Sequence, residues 1–137
     1  MEEKEKMDKV VKRMIMKVLS GLGYMPREDE YGTILFCYRM KTFCVVVEGE
    51  TEPLVSVIYP NFMNVEKADL KAHMVVCNKL NRESKSIKAY MDSEFQHVSA
   101  CIDFIHTGSR SLKQNITRAI EYLEPVRVAY KMILADL

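Results

Sequence analysis

Two histidine–cysteine pairs are the residues of this sequence whose types and spacing most resemble a metal site. His73 precedes Cys77 by four residues, and His97 precedes Cys101 by the same interval. On a helix this spacing places both side chains on one face, where they could bind zinc. On a strand, four residues span roughly 13 Å, which is too far to share one ion. The first pair is predicted on a helix and the second on a strand, so we expect no metal site and no cofactor.

A second polar group, between Asp103 and Ser111, contains the residue types of a hydrolase. His106 lies near Asp103, Ser109 and Ser111 in the sequence. Nucleophilic catalysis needs a nucleophile, a base and an orienting carboxylate in contact. The sequence has no Gly-x-Ser-x-Gly elbow, and serines at the start of a helix have a capping role in any case. We therefore predict no catalytic residues and a non-enzymatic protein.

The composition excludes several other classes of function. Hydrophobic residues make up 48% and charged residues 28% of the 137 residues, which is typical of a single globular domain. No apolar run approaches the roughly 20 residues of a membrane span. Twenty basic residues against 19 acidic ones give a net charge of +1. Because no bulk field attracts a polyanion, we expect neither nucleic acid nor a membrane as partner.

The cysteines and the N-terminus bear on the compartment. The four cysteines have no close paired spacing and lie among apolar neighbours; they are Cys37, Cys44, Cys77 and Cys101. We expect them to be buried free thiols. The segment Met1–Lys6 is charged in both signs and lacks the apolar stretch of a secretory signal. Both features predict a cytoplasmic protein.

Helical periodicity and strand-like runs divide the chain into the elements that must position these residues. The predicted helices are Glu5–Gly21, Val65 to about Glu83 with Asn64 as cap, and a C-terminal helix after Thr107 that Pro125 interrupts. The predicted strands are Thr33–Met40, Thr42–Glu48, Leu54–Tyr59, Ser86–Met91 and His97–Ile105. This order, α-β-β-β-α-β-β-α, predicts a single α+β domain over residues 1–137. Its sheet should be antiparallel, with the terminal helices on one face.

From the middle helix onward, the sequence resembles the YbjN family. The resemblance is carried by Val76–Glu83, by Ser86–Asp92 and by the apolar strand through Phe104; the family's Asn-x-x-Asn element maps to Asn78 and Asn81. It implies the type III secretion chaperone-like fold of a family described as candidate bacterial sensory transduction regulators. It also implies a binding role, chaperone-like or regulatory, and a homodimer, since related chaperones dimerise and bind extended segments.

The most informative pattern lies in the first three predicted strands. With a two-residue turn at Met40–Lys41, one apolar face suits the helices, and it comprises Ile34, Phe36, Tyr38, Phe43, Val45 and Val47. The opposite face carries Leu35, Cys37, Cys44 and Val46, joined by Val55, Val57 and Tyr59 if the second turn centres on Glu50–Thr51. This face is nearly as apolar as the first. An antiparallel sheet with one wet face alternates more cleanly than this.

Something must therefore cover the second face, and three occupants are open: another copy, a partner peptide, or the chain's own middle helix. We predict a surface that binds a protein or peptide, formed by Leu35, Val46, Val55, Val57 and Tyr59. The alternative is a small-molecule sensor domain with a pocket between sheet and helices.

Overall fold

The computed structural model describes residues 2–49 and 51–137. Its helices are α1 (Glu2–Gly21), α2 (Leu70–Glu83), α3 (Ser109–Leu123) and α4 (Val126–Ala135). Its strands are β1 (Arg27–Glu28), β2 (Ile34–Tyr38), β3 (Lys41–Glu48), β4 (Leu54–Asn64), β5 (Lys88–Met91) and β6 (His97–Ile105). They form one antiparallel sheet in the order β1-β2-β3-β4-β6-β5. The α+β class and the antiparallel sheet are confirmed.

The structure differs from the predicted elements around Pro60. The third predicted strand ends at Tyr59, but β4 continues to Asn64. Tyr59 pairs with Ala100 and Met63 with Val98, so three residues of β4 bulge opposite a single residue of β6. Proline has no N–H to donate, and within this bulge it needs none. Because Asn64 belongs to the strand, it cannot cap the middle helix, which begins at Leu70 after a 3-10 turn.

The C-terminal helix breaks where the sequence predicts it. α3 ends at Leu123 and α4 begins at Val126, because Pro125 cannot donate the backbone hydrogen bond that would continue the helix. The break is tied to the sheet by an ion pair, in which Lys41 Nζ donates to Glu124 Oε1 at 2.8 Å. This hydrogen bond lowers the pKa of Glu124.

The β2–β3 turn lies one residue earlier than predicted, at Arg39 and Met40. Both residues have positive φ, 50° and 66°, as a tight type I′ hairpin turn requires. Ile34 pairs with Val45 and Phe36 with Phe43. Moving the turn by one residue changes the paired partners by two, so the side chains keep their predicted faces.

The β3–β4 register corrects the predicted binding surface. Val45 pairs with Val57 and Val47 with Val55, so these residues share the face that the helices cover. Val55 and Val57 are 0% exposed and Tyr59 is 6% exposed. The predicted turn centres between residues 50 and 51, whereas the observed strand pairing centres on position 51. This half-residue difference places every side chain of β4 on the opposite face from the predicted one. Glu50 itself lies outside the described residues.

Gly49 helps to set this register. Its φ is +129°, a conformation open to glycine, and a Cβ at this position would collide with the backbone carbonyl of Glu52. The chain can therefore turn sharply after β3 and return with Leu54 paired to Glu48. The connection from β3 to β4 covers residues 49–53.

All four helices contribute to one core against this face of the sheet. Val11 and Ile15 of α1, Val76 of α2 and Ile116 of α3 are almost completely buried in it. A continuous row of aromatic rings crosses the core, with neighbouring centroids 5.0 to 6.0 Å apart. The row runs through Tyr24, Phe36, Phe43, Tyr59, Phe62, Tyr130 and His73. It links β2, β3 and β4 to α4 and α2.

Neighbouring positions on β2 test the two faces. Phe36→Ala should lower the free energy of unfolding by about 3–5 kcal/mol, because it removes a buried ring and leaves a cavity. Leu35→Ala, on the opposite face, is the matched control and should lower it by less than half as much. Chemical unfolding measures both values. Equal losses at the two positions would mean that the helices do not cover the Phe36 face alone.

Candidate functional site

The first histidine–cysteine pair lies on α2, as predicted, and both side chains face α4. The Tyr130 hydroxyl lies 2.6 Å from His73 Nδ1, within hydrogen-bonding distance. Burial raises the pKa of Tyr130 and of Cys77, so both groups keep their protons at neutral pH. His73 therefore forms part of a hydrogen-bonded contact between two helices.

The second pair is separated along β6. His97 Nδ1 lies 3.0 Å from Asp92 Oδ2, in the turn between β5 and β6. The Gln96 backbone N–H and His97 both hydrogen-bond to Asp92, and they lower its pKa. Within residues 2–49 and 51–137, no three His, Cys, Asp or Glu side chains converge as a metal site would require.

The hydrolase-like group is not assembled in the structure. Asp103 pairs with Lys88, and the Ser111 hydroxyl donates to the Gly108 carbonyl at 3.3 Å. His106 Nδ1 is buried and has no hydrogen-bond partner among the described residues. Ser111 lies inside α3, which begins at Ser109. These side chains make separate contacts. They do not form the chain of hydrogen bonds from nucleophile to base to carboxylate that nucleophilic catalysis needs.

The side of the sheet away from the helices is the candidate functional site, and we call it the outer face. It has a central apolar row across four strands, set by the pairs Leu35–Cys44, Cys44–Ile58 and Ile58–Cys101. Val46, Leu54, Tyr90 and Ile105 extend this apolar surface on either side of the row. Of the five residues predicted to bind a partner, Leu35 and Val46 lie here, and the three from β4 do not.

The helices leave the outer face uncovered. The side chains of α2 pack in the same core as those of α1 and α3, so the middle helix lies on the other side of the sheet. Among the described residues, none of the outer-face side chains belongs to that core cluster. Leu35, Val46 and Ile58 are half-buried by their sheet neighbours, while Ile105 is 50% exposed. The chain's own middle helix is therefore not the cover for this face.

The polar groups within the outer face are uncharged. Burial, with Asp29 as a smaller cause, raises the pKa of Cys44 to about 11. Burial and the Asp103 carboxylate raise the pKa of Cys101 to about 11. Burial, followed by the neighbouring Cys101 and Cys44, raises the pKa of Tyr90 to about 12. At neutral pH these groups are protonated, so the face presents neutral thiols, a phenol and aliphatic side chains.

All four cysteines are free in the structure, but one is not buried as expected. Cys37 is exposed because it follows Leu35 by two residues and lies beyond the apolar row, next to the exposed Thr42. Cys44 and Cys101 lie on the outer face, and Cys77 lies in the core.

A side-chain amide occupies one edge of the sheet. Asn81 Nδ2 donates to the Ala89 carbonyl at 3.1 Å, and the Ala89 N–H donates to Asn81 Oδ1 at 2.7 Å. The amide thus hydrogen-bonds to the N–H and the C=O of Ala89 that point away from the sheet, as a neighbouring strand would. A partner strand that paired with β5 would have to displace the Asn81 amide. The outer face is therefore more accessible to a partner than this edge.

The grooves around the molecule are open to solvent. One of about 460 Å³ lies between the β2–β3 turn, the β4 bulge and α4, and its lining includes Arg39, Tyr59 and Arg127. Arg127 Nε donates to the Phe62 carbonyl at 3.2 Å, which holds α4 to the bulge. This groove is open at the surface, whereas the small-molecule alternative calls for a pocket between sheet and helices. That alternative therefore stays a prediction.

Known proteins resemble this chain by fold. No protein-family model matches the sequence, and a search of curated proteins finds no match. The crystal structure of YbjN from E. coli, described as a candidate transcription regulator, superposes with a TM-score of 0.68. The two chains are 11% identical over 88% of this chain and 91% of YbjN. The chain has the YbjN fold.

The YbjN-like architecture implied by the sequence resemblance is thereby confirmed. The Asn-x-x-Asn element has a structural role at its second position. Both side chains are exposed, but only the Asn81 amide hydrogen-bonds to the backbone of β5. Within the described part of the chain, no helix has the length and apolarity to cross a bilayer.

The two asparagines form a matched pair for testing the edge contact. Asn81→Ala should lower the free energy of unfolding by about 1 kcal/mol, because two hydrogen bonds to Ala89 are lost. Asn78→Ala should change it by less than about 0.5 kcal/mol, as an exposed substitution usually does. Amide hydrogen exchange at Ala89 should become faster only in Asn81→Ala. Unchanged exchange there would show that the side chain does not protect the edge.

Proposed function

We propose that this chain is a non-enzymatic protein-binding module whose binding surface is the outer face of the sheet. The proposal depends mainly on one observation: an apolar face spans four strands and, among the residues that the structure describes, no helix packs on it. Large exposed apolar patches on single domains usually mark contacts with other proteins. The proposed partners are proteins or peptides, including a second copy of this chain.

Several properties of the face support a protein partner. It is wide and follows the sheet, whereas a small-molecule site encloses its ligand in a concave pocket. The titratable groups inside it are neutral, so burying them costs less free energy than burying charges would. Charged residues lie at its margins, as in protein interfaces with an apolar centre and a polar rim.

The biological role we propose is regulatory or chaperone-like, and it follows from the shared fold. YbjN is described as a candidate transcription regulator. For this chain we propose regulation through contacts with proteins, because the candidate site is an apolar sheet face with no dominant charge. We also propose a cytoplasmic location, since free thiols on the surface and in the core suit a reducing compartment.

Site-specific photocrosslinking tests the proposed surface. A photoreactive amino acid replaces Val46 on the outer face, and the protein is irradiated in the cells that produce it. We expect one or a few discrete protein adducts, identified by mass spectrometry, because Val46 would contact the partner directly. Val128 on α4 is 60% exposed and is the matched control, at which we expect no discrete adduct.

A glutamate substitution gives the same test without a crosslinker. Val46→Glu should abolish the complex that crosslinking at position 46 detects, because the new charge would be buried in the interface without a counter-ion. Val128→Glu should leave the assembly intact, and both variants should keep the far-ultraviolet spectrum of the wild type. If the adducts form equally from Val46 and Val128, or from neither, the outer face is not the binding surface.

A further inference from the structure

Two neighbouring rows of side chains on the outer face end in opposite charges. The first row runs across the sheet from Arg27 through Leu35, Cys44, Ile58 and Cys101 to Lys88. The second row, two residues further along the strands, contains Asp29, Thr33, Val46, Ser56 and Asp103. The first row is basic at both ends, the second is acidic at both ends, and small or apolar side chains lie between.

The acidic side chains of the second row lie next to the first row. Asp29 follows Arg27 by two residues, and its Oδ1 accepts the backbone N–H groups of Tyr31 and Thr33. Asp103 lies beside Cys101 and 3.5 Å from Lys88 Nζ. Lys88 also lies over the Tyr90 ring, 5.7 Å from its centroid. All these charged groups therefore lie on the rim of the outer face.

We infer that the outer face binds a second copy of this chain, packed face to face about a two-fold axis that crosses the strands between the two rows. The inference rests on the proposed function, since it names the partner of the same surface. A two-fold axis in this direction places the first row of each copy against the second row of the other. Arg27 then faces Asp29 of the second copy, and Lys88 lies next to its Asp103.

The uncharged part of the rows fits the same arrangement. Cys44 would lie against Val46 of the second copy, and Ile58 against Ser56. In both of these pairs a larger side chain meets a smaller one, as interdigitating sheet faces require. An axis along the strands would instead bring Arg27 of each copy against Lys88 of the other. Like charges opposed in this way disfavour that alternative by several kcal/mol.

The size of the face suits a dimer. Strands lie about 4.8 Å apart and alternate residues about 6.7 Å apart, so six strands and four rows limit the flat footprint to roughly 24 Å by 20 Å, of which the short strands β1 and β5 fill only part. The accessible surface of a footprint on the order of 500 Å² is larger than its flat area, because side chains project from it. The exposed rim, which includes Arg27, Lys88 and Ile105, adds to the area that a second copy would bury, against the roughly 800 Å² per partner of a standard specific interface.

A charge exchange between two variants tests the arrangement. Lys88→Glu places two acids opposite each other in a dimer of that variant, and Asp103→Lys places two lysines opposite each other. Each variant alone should dimerise at least about tenfold more weakly than the wild type. An equimolar mixture restores opposite charges at both contacts, so its heterodimer should form with nearly wild-type affinity. Sedimentation velocity and native mass spectrometry measure the three cases in the micromolar range.

Arg27→Glu, at the other end of the row, gives an independent test and should weaken the dimer by a similar factor. Lys88, Asp103 and Arg27 are all exposed, so circular dichroism should show that the variants are folded. If the wild type dimerises and the mixture shows no preference for the heterodimer, the face-to-face arrangement is wrong. If the wild type is monomeric throughout the micromolar range, the second copy is not the partner. A Val46 adduct with a different protein would then still support the proposed function.

Discussion

The register of β3 against β4 determines the rest of this structure. Pairing Val45 with Val57 gathers the branched and aromatic side chains of both strands on one face, and the four helices pack on that face alone. A shift by one residue would turn Ser56 toward the helices and Val55 and Val57 away from them. The register thus creates a continuous core on one side. On the other it leaves a face of smaller, still mainly apolar side chains without a cover.

The polar groups that could have carried chemistry serve the fold. His73 hydrogen-bonds to Tyr130, which joins α2 to α4, and Asn81 binds the backbone at the edge of β5. Asp92 organises the turn between β5 and β6. With these residues engaged in structural contacts, the uncovered sheet face is the feature that best supports a function. Its neutral centre and mixed rim of charges are typical of a surface that binds protein.

The sequence predicts most of the fold, because the periodic elements are long and local. The bounds of β6 and the break at Pro125 agree with the structure. The placement of Val55, Val57 and Tyr59 does not, because a strand's face depends on the length and shape of the turn before it, here set partly by Gly49. One feature of the sequence could have predicted the face of β4. Ser56, between Val55 and Val57, is polar, so the side of the strand that carries Ser56 is less apolar than the side that carries the two valines. The edge strand β1 has two residues and no periodic pattern that could predict it.

The most direct test of the account is the solvent exposure of individual methyl groups on the outer face. A soluble gadolinium chelate enhances the relaxation of methyl protons that it can approach, and it can be applied to dilute and concentrated protein. We predict that the enhancement at Leu35 and Ile58 falls as protein concentration rises, while that at Val128 stays constant. If the Leu35 and Ile58 methyls are as accessible at every concentration as an uncovered outer face requires, no second copy covers this face, and the central claim is wrong.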